Sequence, residues 1–428
     1  MAVFYRRVDV VGVERVPREG PLVVAANHQN ALVDPMLVMA ALPRRLVPIA
    51  KTPLFRHPLI GPFLRLAGAV PVQRPQDLAG AAPDNAAMFA EAARTLAAGG
   101  AILIFPEGTS QPEPALMPLR TGAARMLVAA WSAHGARVSL LPVGLVLEAP
   151  GSFREGRATV VVGDPVRVAD LLAPGTSPEA AVREITERLA TALRRLMVEA
   201  GDRETLRLLH LVDEIWRLES TDAEPGAAGR LARLHRAVRA HERLRAVAPD
   251  RIERLRADLE RYAADLDALR LSGRALARAY PFRAVLRFAL REALSLLAGL
   301  PGLAVGLVIH GAPYQLTALA ARALGPAPDE EATYKIAAGL ALYPLCWALE
   351  AWMARRLGGL ADLVIFLLAL PPAVLFALSW RARLARVARQ TRAYLTFLRR
   401  RDLHLDLLER RRALRNELEA LDALASSP

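Results

Sequence analysis

The stretch Pro21-Leu22-Val23-Val24-Ala25-Ala26-Asn27-His28-Gln29-Asn30-Ala31-Leu32-Val33-Asp34-Pro35 runs an unbroken apolar segment into a polar loop that carries a histidine and, six positions on, a carboxylate. An apolar run of that length bounded by polar turn residues reads as a buried strand. Further short apolar runs lie at 22–26, 69–73, 101–105, 139–146 and 158–162, with helical patterns between them, notably 83–98 and 122–133. This alternation, up to about residue 175, predicts an α/β domain: a mixed or largely parallel sheet flanked by helices, with functional loops at strand ends.

The rest of the chain bounds the possibilities. It has 428 residues, 53% of them hydrophobic, one cysteine and a formal charge of +13, with mean hydropathy +0.23. That excludes a disordered or fibrous protein. Cys346 alone builds neither a disulfide framework nor a Cys-rich zinc site. Lys51 and Lys335 are the only lysines among 56 basic residues, a bias of composition that gives charge little weight as evidence for nucleic acid, and no nucleic-acid motif accompanies it. Residues 1–10 contain Arg6 and Arg7 but no apolar core of signal-peptide length, so the N-terminal half is expected to stay where it is made.

Beyond the α/β part, 176–283 reads as a helical hairpin region. Ile252, Leu255, Leu259, Tyr262, Leu266 and Leu269 recur at steps of three and four, and Pro249 with Asp250 and Glu253 marks a helix start. A helical packing module is preferred over a dimerising coiled coil. Residues 284–380 are apolar: 293–321 lacks any charged side chain, and so do 336–349 and 363–380. A hairpin through 336–353 and 363–380, turning at Gly358-Gly359, is the expected membrane anchor, with 293–313 in the interface or re-entering because Pro301 and Pro313 interrupt it. The C-terminal segment 381–428 is a basic amphipathic helix whose first part, 381–401, holds eight arginines and no acid. Such a flank stays on the cytoplasmic side and attracts anionic lipid.

Chemistry concentrates in a few loops. His28 followed by Asp34 can form a base and its orienter, one ring nitrogen held by the carboxylate and the other open to a proton; the same pair also reads as a capped turn in which Asp34 starts the next helix. Phe105-Pro106-Glu107-Gly108-Thr109-Ser110 ends a second strand with a carboxylate, a glycine and two hydroxyls. Lys51 and Arg74 supply cations, and Arg120 precedes a helix start, where amide donors add to a phosphate site. The apolar set Leu54, Phe55, Leu59, Ile60, Phe63 and Leu64 suits core packing, an acyl groove or lipid contact. The remaining histidines show no metal-ligand spacing, so no metal and no cofactor are expected. No Gly-x-Ser-x-Gly elbow exists, and Cys346 sits in an apolar run far from these loops, so a serine- or cysteine-hydrolase mechanism lacks its nucleophile.

In order, the His28/Asp34 block, the Lys51–Arg74 block ending Val72-Gln73-Arg74, the Phe-Pro-Glu-Gly-Thr-Ser loop and Leu141-Pro142-Val143-Gly144 resemble the phospholipid and glycerol acyltransferase (PlsC-like) family over roughly residues 8–170. One residue more than in most members separates the histidine from the aspartate. That longer form looks like the branch acylating glycerol 3-phosphate or dihydroxyacetone phosphate. The resemblance implies an acyltransferase domain over 1–175, acyl-CoA or acyl-carrier protein as donor, a glycerol-phosphate acceptor, His28 as general base and Asp34 as its orienter. It also implies Arg74 on the acceptor phosphate and Glu107, Gly108 and Thr109 on glycerol; Arg120, placed before a helix N-terminus, is a second phosphate candidate. Apolar length and charge asymmetry, and not the resemblance, give the expected setting: the inner (cytoplasmic) membrane with membrane lipid as partner and the catalytic domain facing the cytoplasm. A 1-acylglycerol-3-phosphate acyltransferase and a catalytically inactive lipid-binding scaffold are the alternatives.

Overall fold

A computed structural model describes residues 5, 7–58, 60–78, 82–111, 113–148, 156–173, 175–219, 226–269, 271, 273–276, 282–325, 331–399 and 401–426. Leu59 and Arg400, both used above, lie outside the described residues. The chain packs as two units, 1–206 with 321–338, and 207–320 with 339–428.

The first unit is built on a seven-stranded mixed sheet in the order β1-β7-β6-β2-β5-β3-β4. Its strands are β1 Arg7–Val11, β2 Leu22–Ala26, β3 Val47–Lys51, β4 Val70–Val72, β5 Ala101–Ile104, β6 Ser139–Leu147 and β7 Arg157–Val162. All pairings are parallel except β6 with β7. The apolar runs recur as strands because β2 and β5 are buried at every residue, which requires side chains that are apolar on both faces. Sequence reading overlooks β1 and β3. In β1, Arg7 and Asp9 alternate with valines at the sheet edge, and β3 contains Pro48. Neither yields a continuous apolar signal.

Helices cover both faces: α1 Val33–Ala41, α2 Thr52–Arg56, α3 Ile60–Leu66, α4 Ala86–Ala97, α5 Gly122–His134 and α6 Pro178–Leu196. One core lies under α1, with Leu37, Val38, Val24 and Val160 fully buried. The other lies under α4, α5 and α6, with Leu96, Met126, Leu127 and Ile185. Burying a leucine-sized side chain contributes roughly 1.5–3 kcal/mol, so these two cores need no covalent staple.

The second unit is helical: α7 Arg203–Glu219, most of which falls in this unit, then α8 Gly226–Val247, α9 Pro249–Ala268, the single turn α10 Gly273–Leu276, α11 Phe282–Ala298, α12 Leu300–Ala323, α13 Glu331–Arg399 and α14 Arg401–Ser426. The start of α13 belongs by packing to the first unit. The stripe Ile252, Leu255, Leu259, Tyr262 and Leu266 is buried together with Leu407, Leu414 and Leu421, which recur every seventh residue on α14. The heptad seam is therefore filled within the chain.

Helix α13 is two helices joined at Gly359, whose φ of 79° and ψ of −156° break the ladder, a conformation glycine adopts without a Cβ penalty. The prolines of α12 do not end it: Pro301 stands in its first turn, where no intrahelical N–H is required, and Pro313 lies inside. Helix α12 and residues 333–398 are long and apolar enough to cross a membrane. Gly299 and Gly302 on and beside α12 abut Trp380 and Phe376, Gly306 abuts Ala373 and Ala377, His310 packs edge-on to Trp347, and Thr317 lies against Gly339. The Gly302-x-x-x-Gly306 spacing lets two helix backbones approach closely.

Candidate active site

The strands β2, β5, β3 and β4 are adjacent and parallel, so their carboxyl ends share one edge of the sheet. Crevices beyond such strand ends are where α/β sheets bind ligands. His28 follows β2, Glu107 follows β5, Lys51 closes β3 and Arg74 follows β4. Four sequence blocks up to 79 positions apart thus meet because the topology brings their strands side by side.

His28 Nδ1 lies 3.0 Å from Asp34 Oδ2. The same oxygen accepts the amides of Gln29 at 2.6 Å and Asn30 at 2.7 Å. A carboxylate that already takes two backbone donors is an acceptor toward the ring as well, so Nδ1 carries the proton and Nε2 is the basic nitrogen. The imidazole stacks on Phe105 at 4.1 Å between ring centres, which fixes its second rotation. Asp34 is wholly buried in the first turn of α1. The additional residue between His28 and Asp34 is absorbed in the turn 29–32, so the longer spacing still closes the pair.

Glu107, 4% exposed, joins the two loops. Its Oε1 accepts the His28 amide at 2.7 Å and its Oε2 the Met117 amide at 3.0 Å. Burial pushes its carboxyl up from the usual range, against those two hydrogen bonds and the nearby imidazole, which pull it down. Gly108 has φ of 75°, and a Cβ there would meet Arg120 Cγ at 3.3 Å. Arg74 donates from Nε and Nη2 to Asp77 at 2.7 and 2.8 Å and from Nη1 to the Gly108 carbonyl at 3.0 Å. Three of its five N–H groups are thus committed. Asp77 is held below the ordinary carboxylate range, chiefly by its bond from Arg74 with Lys51 adding to it. Thr109 is half-buried and Arg120 exposed at the same loop, and Arg120 has no ion pair among the described residues. In the apolar segment, Ile60 is buried while Phe63 and Leu66 on α3 are exposed.

Sequence reading assigns no part to four residues that shape this site. Asn27 bridges to Leu145 of β6 with both amide atoms, at 3.1 and 2.6 Å. Tyr5 is fully buried, and burial, then the charge of Asp34, push its phenol up beyond the usual range. Asp77 neutralises Arg74, and Thr333 accepts a hydrogen bond from Leu32. Only Asn27, beside the histidine, carried a local signal. No group of three or more metal-ligating side chains exists among the described residues.

A buried carboxylate, an oriented imidazole and cations at one sheet edge form an arrangement in which a hydroxyl can give up its proton to the ring while an anionic group meets the cations. Residues 7–146 match the family model described as Acyltransferase, and this segment is an acyltransferase-family domain. The chain is 26% identical over 50% of its length to an uncharacterized acyltransferase of Schizosaccharomyces pombe, of which it covers 45%. It is 29% identical over 33% of its length to glycerol-3-phosphate O-acyltransferase 1 of Saccharomyces cerevisiae, covering 19% of that protein. It is 30% identical over 45% of its length to 1-acyl-sn-glycerol-3-phosphate acyltransferase alpha of Bos taurus, covering 65% of that protein. The chain thus spans less than two thirds of the length of each of these relatives.

Proposed function

We propose that the chain is a membrane-bound O-acyltransferase that moves a fatty acyl group from acyl-CoA or acyl-carrier protein to glycerol 3-phosphate or dihydroxyacetone phosphate. The observation that carries this reading is the His28–Asp34 pair, closed at 3.0 Å, on the same strand-end edge as Arg74 and Lys51. His28 Nε2 takes the proton of the acceptor hydroxyl as its oxygen attacks the thioester carbonyl carbon. The carbon–sulfur bond then breaks, and the thiolate recovers the proton from the imidazolium that Asp34 has stabilised. No acyl-enzyme forms. Arg74, with two N–H groups left, Lys51 and Arg120 receive the phosphate. Glu107 holds the His28 backbone in place, and Gly108 and Thr109 form the rim that meets the glycerol part.

A lysophosphatidate acceptor is the second reading, favoured by the similarity to the bovine 1-acyl-sn-glycerol-3-phosphate acyltransferase alpha. Full-length protein in vesicles, given labelled acyl-CoA or acyl-carrier protein and each acceptor in turn, separates them by product. His28→Ala is the blank, with an expected loss of roughly 10²–10⁴ in rate. Failure of every donor and acceptor pair would remove the proposal.

For attachment we propose a membrane hairpin, formed by the two arms of α13 turning at Gly359, with 381–399 returning on the catalytic side. Gly339 and Trp380 stand at nearly equal chain distances from Gly359, one on each arm, and Trp347 is nearer the turn. Since α12 begins at Trp380, packs His310 on Trp347 and brings Thr317 to Gly339, it enters and returns, bending about Pro313. Two crossings then separate α9 from α14, which are buried against each other. Helix α11 adds an interfacial face, with Leu286, Leu290, Leu294 and Leu297 exposed and Arg283, Arg287 and Arg291 beside them. Its Glu292 is tied to Arg383 at 2.6 Å. The inner membrane, with the catalytic domain on its cytoplasmic face, suits a donor made in the cytosol.

A further inference from the structure

The segment that opens α13 packs with the acyltransferase domain, although the two residues bonded there, Leu32 and Thr333, lie 301 positions apart. Thr333, 9% exposed, accepts the Leu32 amide on Oγ1 at 3.2 Å across 301 positions. One turn later Ile336 packs against the core that contains Val33 and Leu37 of α1. Leu32 caps the N-terminus of α1, where the first amides have no intrahelical partner. The loop between His28 and Asp34 therefore has two sets of restraints. Asp34 holds the Gln29 and Asn30 amides from inside, and Thr333 holds the Leu32 amide from outside.

We propose that Thr333 is a positioning residue for the catalytic base: the first two turns of the apolar helix brace the His28 loop, so that the orientation of the imidazole depends on the docking of a membrane helix. This rests on the acyltransferase reading for its kinetic consequence but not for the brace itself. Without the Thr333 hydroxyl the Leu32 amide is left half-buried and unpaired, an unfavourable state that the loop relieves by moving. Movement there rotates the end of α1 that carries Asp34, and the 3.0 Å contact to His28 Nδ1 lengthens. The acceptor-phosphate site on the β3 and β4 loops is untouched. Loss should therefore fall on kcat and not on the KM of the acceptor.

The test uses the full chain in vesicles with three variants. Thr333→Val removes the acceptor at nearly equal volume, Thr333→Ser retains it, and Lys335→Ala changes the same helical turn at a residue paired with Glu331. Hydrogen exchange of peptides covering 28–34 is read beside kcat, KM and the pH–rate profile. Expected for Thr333→Val are faster exchange confined to 28–34 and a kcat about tenfold lower, with acceptor KM unchanged. Thr333→Ser should restore both, and Lys335→Ala should alter neither. Unchanged exchange at 28–34 in Thr333→Val, or equal kcat in Val and Ser variants, would overturn the brace. Faster exchange in β5 and β6 as well would mean general destabilisation and would also overturn it. Faster exchange at 28–34 in a protein that transfers no acyl group to any acceptor would leave the brace standing and remove the functional reading instead.

Discussion

Asp34→Asn probes the centre of the site with little change of shape. Asp34 is fully buried, and its Oδ2 takes two amides at 2.6 and 2.7 Å while facing His28 Nδ1 at 3.0 Å. Asparagine can turn its single oxygen to the two amides and place its NH2 where Oδ1 lies, an atom without a partner among the described residues. The loop then survives, but three charge-assisted hydrogen bonds become neutral ones of roughly half the strength. A stability loss of about 2–3 kcal/mol follows. Catalysis suffers more. The imidazolium that forms during proton transfer loses its counter-charge, a contribution of about 1.5–3 kcal/mol, and a neutral acceptor shared with two amides no longer fixes the tautomer. Together these predict a kcat lower by roughly 10²–10⁴. The assay is initial-rate acyl transfer with full-length protein in vesicles, beside a denaturant titration that corrects for unfolded enzyme. A corrected kcat within about tenfold of wild type would refute the assignment of Asp34 as the orienter of a catalytic base.

Arg74→Ala should raise KM for the phosphorylated acceptor about 10- to 100-fold and leave the donor KM unchanged, since a charge-assisted phosphate contact contributes roughly 1.5–3 kcal/mol. Asp77→Asn, which removes the charge facing Arg74 and releases one of its two donors bound there, should lower that KM, and equal KM values in both variants would exclude a phosphate role. Glu107→Gln sets an amide NH2 against the His28 or Met117 amide, so kcat should fall with a disturbed 105–117 loop, measured by transfer rate and hydrogen exchange. The pH dependence of this pair follows from the raised carboxyl of Glu107: proton uptake favours the folded state, so wild type gains stability over Glu107→Gln as pH falls through the window above the ordinary value of about 4.5. Paired denaturant midpoints at neutral and mildly acidic pH read the sign. Finally, full-length protein should resist extraction from membranes by alkaline carbonate, and release would replace the hairpin with interfacial attachment through α11 and the arginines of 381–399.

The sequence by itself determined the class of fold and the chemical inventory. Runs such as 22–26 and 101–105 are legible because a strand buried on both faces admits only apolar side chains, and His28, Asp34 and Glu107 stand out because strand-end loops carry polar groups. Gly359 and the arginines after Trp380 were likewise readable, since helix breaks and charge asymmetry are local. Only the tertiary structure decided what those groups touch. That Asp77 takes up Arg74, that Glu107 spends its oxygens on the amides of His28 and Met117, and that Thr333 reaches Leu32 depend on which strands and segments become neighbours. A hydrogen bond spanning 301 positions leaves no periodicity or local motif in the chain, because its partners are brought together by the packing of whole elements and not by anything either segment encodes alone.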